Sequence, residues 1–240
     1  MEDAALLTLA ADLARRAGAV ILAVRARGFE TTRKSDASPV TEADHAAEAL
    51  IVQGLRAATP GIPVVAEEEH AAGAVAAEHH EYWLVDPLDG TTNFIHGIPV
   101  FAVSIAFCEP DNKGGFIPRH GIVYDPMRDE AFTGEANAGV WLNGERVWTS
   151  GCATLSAAVV ATALPFRFPA ELDAAAAVFL QVQKACDDQR RGGSAALDLA
   201  YTAVGRLDGY YELGIYPWDT AAGELLVGPQ PRCMRICSRQ

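Results

Sequence analysis

Trp83-Leu-Val-Asp86-Pro-Leu-Asp89-Gly90-Thr91-Thr92-Asn93-Phe94 is the stretch on which the reading of this chain turns. A hydrophobic strand, read from Tyr82 to Val85, breaks into a tight turn that carries two aspartates three residues apart and holds both carboxylates on one side. Asp-Pro and Asp-Gly are ordinary turn dipeptides, so this motif alone leaves a structural turn and a metal site equally open. Two further acids bear on the choice. Glu67 follows a short apolar run, Ile62 to Ala66, that is bounded by turn residues and read as a neighbouring strand. Asp219 lies in Pro217-Trp218-Asp219-Thr-Ala-Ala-Gly223, at the start of a predicted helix. Each has an ordinary reading, a solvated glutamate after a strand and a cap or dipole partner in a first helical turn. Taken jointly, four hard oxygen ligands at strand and helix ends, with no nearby His/Cys pattern, suit Mg²⁺ rather than Zn²⁺.

Outward from this stretch the pattern is mixed. Leu6, Leu9, Leu13, Ala17, Val20 and Val24 recur at three- and four-residue spacing and predict an amphipathic helix over residues 2–27. A polar segment from Thr31 to Pro39 leads to Thr41, which can cap a second helix that runs to about Thr59 and stops at Pro60-Gly61. A loop rich in Ala and His separates Glu69 from Tyr82; Pro99 to Cys108 reads as a longer strand, and short strands continue through Trp148. The second part reads as strand 157–163, helices 170–186 and 194–206, strand 209–213 and a last helix opening near Pro217. The change of pattern near residue 150 predicts two intimate lobes, an α+β lobe over 1–150 and an α/β lobe over 151–240.

Bulk properties narrow the partners. At 240 residues and 50% hydrophobic, the chain can bury a sizeable core. A net charge of −12 without a Lys/Arg run argues against nucleic acid or an anionic membrane as partner. The N-terminus has no leader-like segment and no stretch approaches the length of a membrane span, so a cytoplasmic protein is expected. Cys108, Cys152, Cys186, Cys233 and Cys237 are odd in number and form no CxxC pair, which suits a reducing compartment.

At this point the sequence resembles the inositol monophosphatase family, from near residue 5 to about Val227. The resemblance rests on Ser38-Pro-Val-Thr-Glu-Ala-Asp44, Ala66-Glu67-Glu68, the Asp86 to Phe94 run, Gly193-Ser-Ala-Ala-Leu-Asp198, Glu212 and Trp218-Asp219-Thr-Ala-Ala-Gly223. It implies a layered αβαβα sandwich of the sugar-phosphatase type, in the α/β (α+β) class, and a homodimer. It implies hydrolysis of a small phosphate monoester with two to three Mg²⁺ ions and sensitivity to Li⁺. Glu67, Asp86, Asp89, Asp219 and the backbone carbonyl of Leu88 would hold the metal. Thr91 and Asp44 would orient and deprotonate the attacking water, with Glu68 as an auxiliary carboxylate. Gly90, Thr91, Gly193, Ser194, Ala195 and Glu212 would touch the substrate.

The ordinary readings of these residues differ: Asp44 as a first-turn residue behind Thr41, Gly192-Gly193-Ser194 as a plain helix start, Glu212 as a solvent-facing strand residue. Lys34-Ser-Asp36-Ala37 occurs in several branches of the superfamily, whereas Thr92-Asn93-Phe94 and Tyr210-Tyr211-Glu212-Leu-Gly214 look like the inositol phosphatase branch. Inositol 1-phosphate is therefore the expected substrate. The alternatives are a 3′(2′),5′-bisphosphate nucleotide, fructose 1,6-bisphosphate or histidinol phosphate. A non-catalytic, partner-binding role on the same fold is the alternative of another class. The end of the chain, Gly228 to Gln240, departs from the family pattern and reads as truncated or diverged.

Overall fold

A computed structural model describes residues 3–33, 38–69, 81–111, 115–165 and 168–228. Segments 34–37 and 229–240, and with them the Lys34 to Ala37 stretch and the unusual chain end, lie outside the described residues, as does most of the Ala/His-rich loop.

Two long helices open the chain. In α1 (Asp3–Arg27) Leu6, Ala10, Leu13, Ala17, Ile21 and Val24 are buried, while Leu9 and Val20 pack at the margin of the same core. The hairpin of β1 (Thr31–Arg33) and β2 (Pro39–Thr41) occupies the polar segment, where no strand was expected. Its exposed first strand carries no alternation that a sequence reading could detect. Thr41 then caps α2 (Glu42–Ala58): its hydroxyl accepts from the Ala43 N–H, and the Asp44 carboxylate reaches back to the Thr41 N–H, a capping box.

A seven-stranded sheet follows. It runs β3 (Val64–Ala66), β4 (Tyr82–Asp89), β5 (Ala102–Pro110), β6 (Phe116–Asp125), β7 (Glu130–Glu135), β8 (Gly139–Leu142) and β9 (Glu145–Arg146), in that order. The β3–β4 pair is parallel and the other pairs are antiparallel. Side chains alternate between its faces. Trp83 and Val85 of β4 join the core formed by α1 and α2. Tyr82 and Leu84, one step out of phase, join Ala196, Ala200, Ala221 and Leu226 on the other side. Those residues belong to α5 (Ala195–Ala203) and α6 (Pro217–Val227). A six-residue helix, α3 (Thr91–His96), springs from the end of β4.

Beyond α5 and α6 lies a parallel sheet, ordered β11 (Asp188–Arg190), β10 (Val159–Thr162), β12 (Gly209–Tyr211). Ala161 and Tyr210 face Leu199 of α5, whereas Val160 and Tyr211 face the opposite way, toward Val182 of α4 (Leu172–Ala185). The layers are therefore helix, sheet, helix, sheet, helix, in agreement with the αβαβα expectation. Predicted helix 170–186 begins instead as a short 3₁₀ turn at Pro169–Glu171, and β11 was not anticipated because its polar Asp-Gln-Arg lacks a strand signal. Among the described residues no helix is long and apolar enough to cross a membrane, and Cys108, Cys152 and Cys186 are free thiols.

The middle helix layer is packed through Gly223, where an added Cβ would lie 2.5 Å from the Leu199 Cβ. That neighbour is the stem of a side chain and cannot swing away. Gly223→Ala gains up to about 1 kcal/mol in helix propensity but forces α5 and α6 apart, at about 1–3 kcal/mol. The expected outcome is a lower melting temperature in metal-free protein; an unchanged or raised one would show that the two helices have room to spare.

Candidate active site

The acids converge because of strand register. Ala66 pairs with Val85 across the parallel β3–β4 ladder, and the Glu67 N–H donates to the Val85 carbonyl at 3.1 Å, so Glu67 leaves β3 beside Asp86. The Glu48 carboxylate accepts from the Glu68 N–H at 2.7 Å and fixes the turn that follows. On β4, Asp86 and Asp89 would point to opposite faces of a regular strand. The ladder with β5 pairs Asp86 with Ser104 but Asp89 with Ala102, so β4 takes three steps where β5 takes two. This bulge brings both aspartates to one side. Pro87, which has no N–H to offer, sits within it, and the Leu88 N–H turns back to Asp86 Oδ1 at 3.0 Å.

Asp219 arrives from the other side of the sheet. It is the third residue of α6, where its Oδ2 accepts from the Tyr216 N–H at 3.1 Å. The start of this helix is tied to the sheet by the Ser104 hydroxyl, which donates to the Trp218 carbonyl at 3.3 Å. Carboxylate oxygens of Glu67, Asp86 and Asp219 lie within 4.8 Å of one another. Asp86 is 1% exposed and Asp219 4%. Burial first, and then the charges of Glu67, Asp89 and Asp219, push the Asp86 carboxyl well above the usual carboxylate range. A divalent cation reverses that balance, and a set of carboxylate oxygens without His or Cys fits Mg²⁺.

Asp89 lines the same cavity, but its Oδ2 is taken by the Ser194 hydroxyl and the Ala196 N–H, both at 2.7 Å. Ser194 also accepts from the Leu197 N–H as the N-cap of α5. The ordinary helix start and the hold on Asp89 are thus one arrangement. Asn93 strengthens it, donating to the Val100 carbonyl at 2.7 Å and the Gly192 carbonyl at 2.9 Å. Gly192 leaves room for Asp198, since a Cβ there would stand 2.6 Å from Asp198 Oδ1. The Asp198 carboxyl is pushed up to about 8, by burial and then by Asp89 and Glu212.

Asp44 satisfies both of its readings at once. Its Oδ2 accepts from the Thr41 N–H at 2.8 Å and hydroxyl at 2.6 Å, which is the cap. Its Oδ1 lies 3.0 Å from the Thr91 hydroxyl, which also lies 3.1 Å from the Leu88 carbonyl. Burial raises the Asp44 carboxyl above its ordinary value, and the bonds from Thr41 and Thr91 oppose that rise. Gly90, with φ +93°, makes the corner that delivers Thr91.

These groups surround a cavity of about 420 Å³. Glu67, Asp86, Leu88, Asp89 and Asp219 line it together with Gly90, Thr91, Gly193, Ser194, Ala195 and Glu212. Asp44 stands behind Thr91, and neither Asp44 nor Glu68 is among the lining residues. Arg191, Asp198 and the apolar Leu164 and Ile215 also line the space and were assigned no role from the sequence. Asp198 and Asn93 stood inside the quoted motifs without a task. Glu48 carried a legible signal: like Asp44 it lies on the buried face of α2, a position where an unpaired acid is costly.

Comparison with known proteins adds four matches. The model of the Inositol monophosphatase family matches residues 2–228. The Nus factor SuhB of Salmonella typhimurium strain LT2 is 43% identical over 230 residues, covering 92% of this chain and 81% of that protein. Among solved structures, the extragenic suppressor protein SuhB of Bartonella henselae gives a TM-score of 0.81 at 35% identity, covering 92% of this chain and 83% of the other. The inositol monophosphatase of Anabaena (Nostoc) sp. PCC 7120 gives 0.78 at 34% identity, covering 94% and 81%. Matches of this length in both sequence and structure carry one conclusion: the chain belongs to the inositol monophosphatase family.

Proposed function

We propose that this protein is a Mg²⁺-dependent phosphatase that hydrolyses a small phosphate monoester, with inositol 1-phosphate as the first candidate substrate. The observation that carries the reading is the convergence of Glu67, Asp86 and Asp219 within 4.8 Å beside the Thr91–Asp44 pair. In this proposal Glu67, Asp86, Asp89, Asp219 and the Leu88 carbonyl hold two to three Mg²⁺ ions. The bound ions supply positive charge that stabilises phosphoryl transfer and the departing alkoxide.

The chain's own groups handle the proton and the alcohol. Thr91 Oγ1 accepts from the attacking water as its own proton passes to Asp44 Oδ1, and Thr41 keeps that carboxylate aimed. Ser194 and the Ala196 N–H occupy Asp89 Oδ2 and so leave Oδ1 for the metal. Glu68 acts as an auxiliary carboxylate beside the cluster. Gly90, Gly193 and Ala195 let the backbone approach the substrate, and Glu212 accepts from its hydroxyls. Residues 1–150 and 151–240 form the two lobes of this enzyme; Li⁺ inhibition, a homodimer and a cytoplasmic location belong to the same proposal.

A second reading has one specific support, the name Nus factor carried by the Salmonella relative. On it, the protein acts by binding a partner of the transcription machinery, and fold alone does not exclude this. Phosphate release from inositol 1-phosphate, fructose 1,6-bisphosphate, histidinol phosphate and adenosine 3′,5′-bisphosphate, with and without Mg²⁺, separates the two. Turnover led by the inositol ester supports the first reading, another leading ester reassigns the substrate, and no turnover from folded protein favours the second.

Asp89→Asn removes a ligand charge at constant volume and is expected to lower Mg²⁺-dependent release by roughly 100-fold or more while the fold persists; near-normal hydrolysis refutes the ligand assignment. Mg²⁺ affinity is expected to rise with pH, because burial and the neighbouring carboxylates raise the Asp86 carboxyl in metal-free protein and the ion binds its deprotonated form. Calorimetry at two pH values, in buffers of different ionisation enthalpy, checks this through the released protons. Affinity that is flat with pH, with no proton release, would remove Asp86 from the ligand set.

A further inference from the structure

Glu212 faces a difficulty that the metal does not resolve. It shares the cavity lining with Asp89 and Asp198, and its charge and that of Asp198 act against each other. A glutamate has three side-chain torsions, and that repulsion favours swinging it out to water.

A neighbouring phenol restrains it. Tyr210 and Glu212 are two residues apart at the end of β12, so their side chains leave the strand on the same side. The Tyr210 hydroxyl donates to Glu212 Oε2 at 2.6 Å. The Tyr210 ring is itself immobilised: it is 8% exposed, packed with Leu199 and Leu207, and flanked by Ile215. Tyr211, between the two, points the other way and bonds Gln189. A short bond from a neutral phenol to a carboxylate is among the stronger hydrogen bonds in proteins. Burial and the Glu212 charge hold the Tyr210 phenol well above its ordinary value, so it remains a donor throughout the working range.

We propose that Tyr210 is a positioning residue that fixes Glu212 in the cavity lining, so that the Glu212 carboxylate accepts from the hydroxyls of a polyol leaving group and favours polyol phosphates over esters lacking such hydroxyls. This rests on the phosphatase reading above. Tyr210 touches no reacting atom in this arrangement. Its effect is on which alcohol is gripped.

The test compares kcat/KM for inositol 1-phosphate and for p-nitrophenyl phosphate, which has no hydroxyl beside the ester, in wild type, Tyr210→Phe, Glu212→Gln and the double variant. Tyr210→Phe is expected to lower the ratio of the inositol ester to the nitrophenyl ester about tenfold, mainly through KM of the inositol ester. In the Glu212→Gln background the same change is expected to move that ratio by less than about twofold. An equal loss on both esters, an unchanged ratio, or a full effect in the Glu212→Gln background overturns the assignment. If wild type releases phosphate from neither ester, the phosphatase reading fails by itself. Binding of inositol 1-phosphate with Mg²⁺, followed by calorimetry, then decides for Tyr210: weaker binding by Tyr210→Phe supports it, and equal binding overturns it.

Discussion

Mutual repulsion among carboxylates governs this molecule. Glu67, Asp86 and Asp219 reach one spot from a strand end, a bulge and a helix start, and burial denies them the water that would screen their charge. Nothing in a sheet or a helix requires such a cluster, and an unneutralised one works against folding. Each acid is therefore restrained by backbone: Glu67 by the ladder with Val85, Asp86 by the Leu88 N–H, Asp219 by the Tyr216 N–H. The Leu88 and Tyr216 N–H groups lend partial positive charge to the carboxylates they bind. The site is held together by dipoles until a cation arrives.

Much of this was legible in the sequence, for identifiable reasons. Long periodic segments such as α1 and α2 announce themselves, and Thr41 with Asp44 spells a capping box in one dimension. The Asp86 to Asn93 motif identified the turn. What it could not give was the mechanism that makes the turn work, because the bulge is defined only by the partner strand, through Ser104 and Ala102. The task of Asn93 was hidden for the same reason: its acceptors are Val100 and Gly192, and the second lies about a hundred residues downstream. Short polar strands such as β1 and β11 carry too little pattern to be seen.

The ordinary and the functional readings of several residues turn out to be compatible. Ser194 is a helix cap and a clamp on Asp89; Asp219 is a first-turn acid of α6 and a member of the carboxylate cluster; Asp44 is half of a capping box and the partner of Thr91. A carboxylate has two oxygens and a hydroxyl both donates and accepts, so one structural bond leaves capacity for another. Weighing the two readings as rivals, which sequence patterns invite, underestimates such residues.

The division of labour within Asp44 has a further consequence. One oxygen secures the opening turn of α2 and the other secures Thr91, so loss of the cap also disturbs the bond to Thr91. Helix ends fray on short timescales, and fraying of this one loosens the Asp44 hold on Thr91, which keeps its contact with the Leu88 carbonyl. The rate at which the first amides of α2 exchange with solvent deuterium is thus a clock for how often the Thr91–Asp44 pair is disturbed.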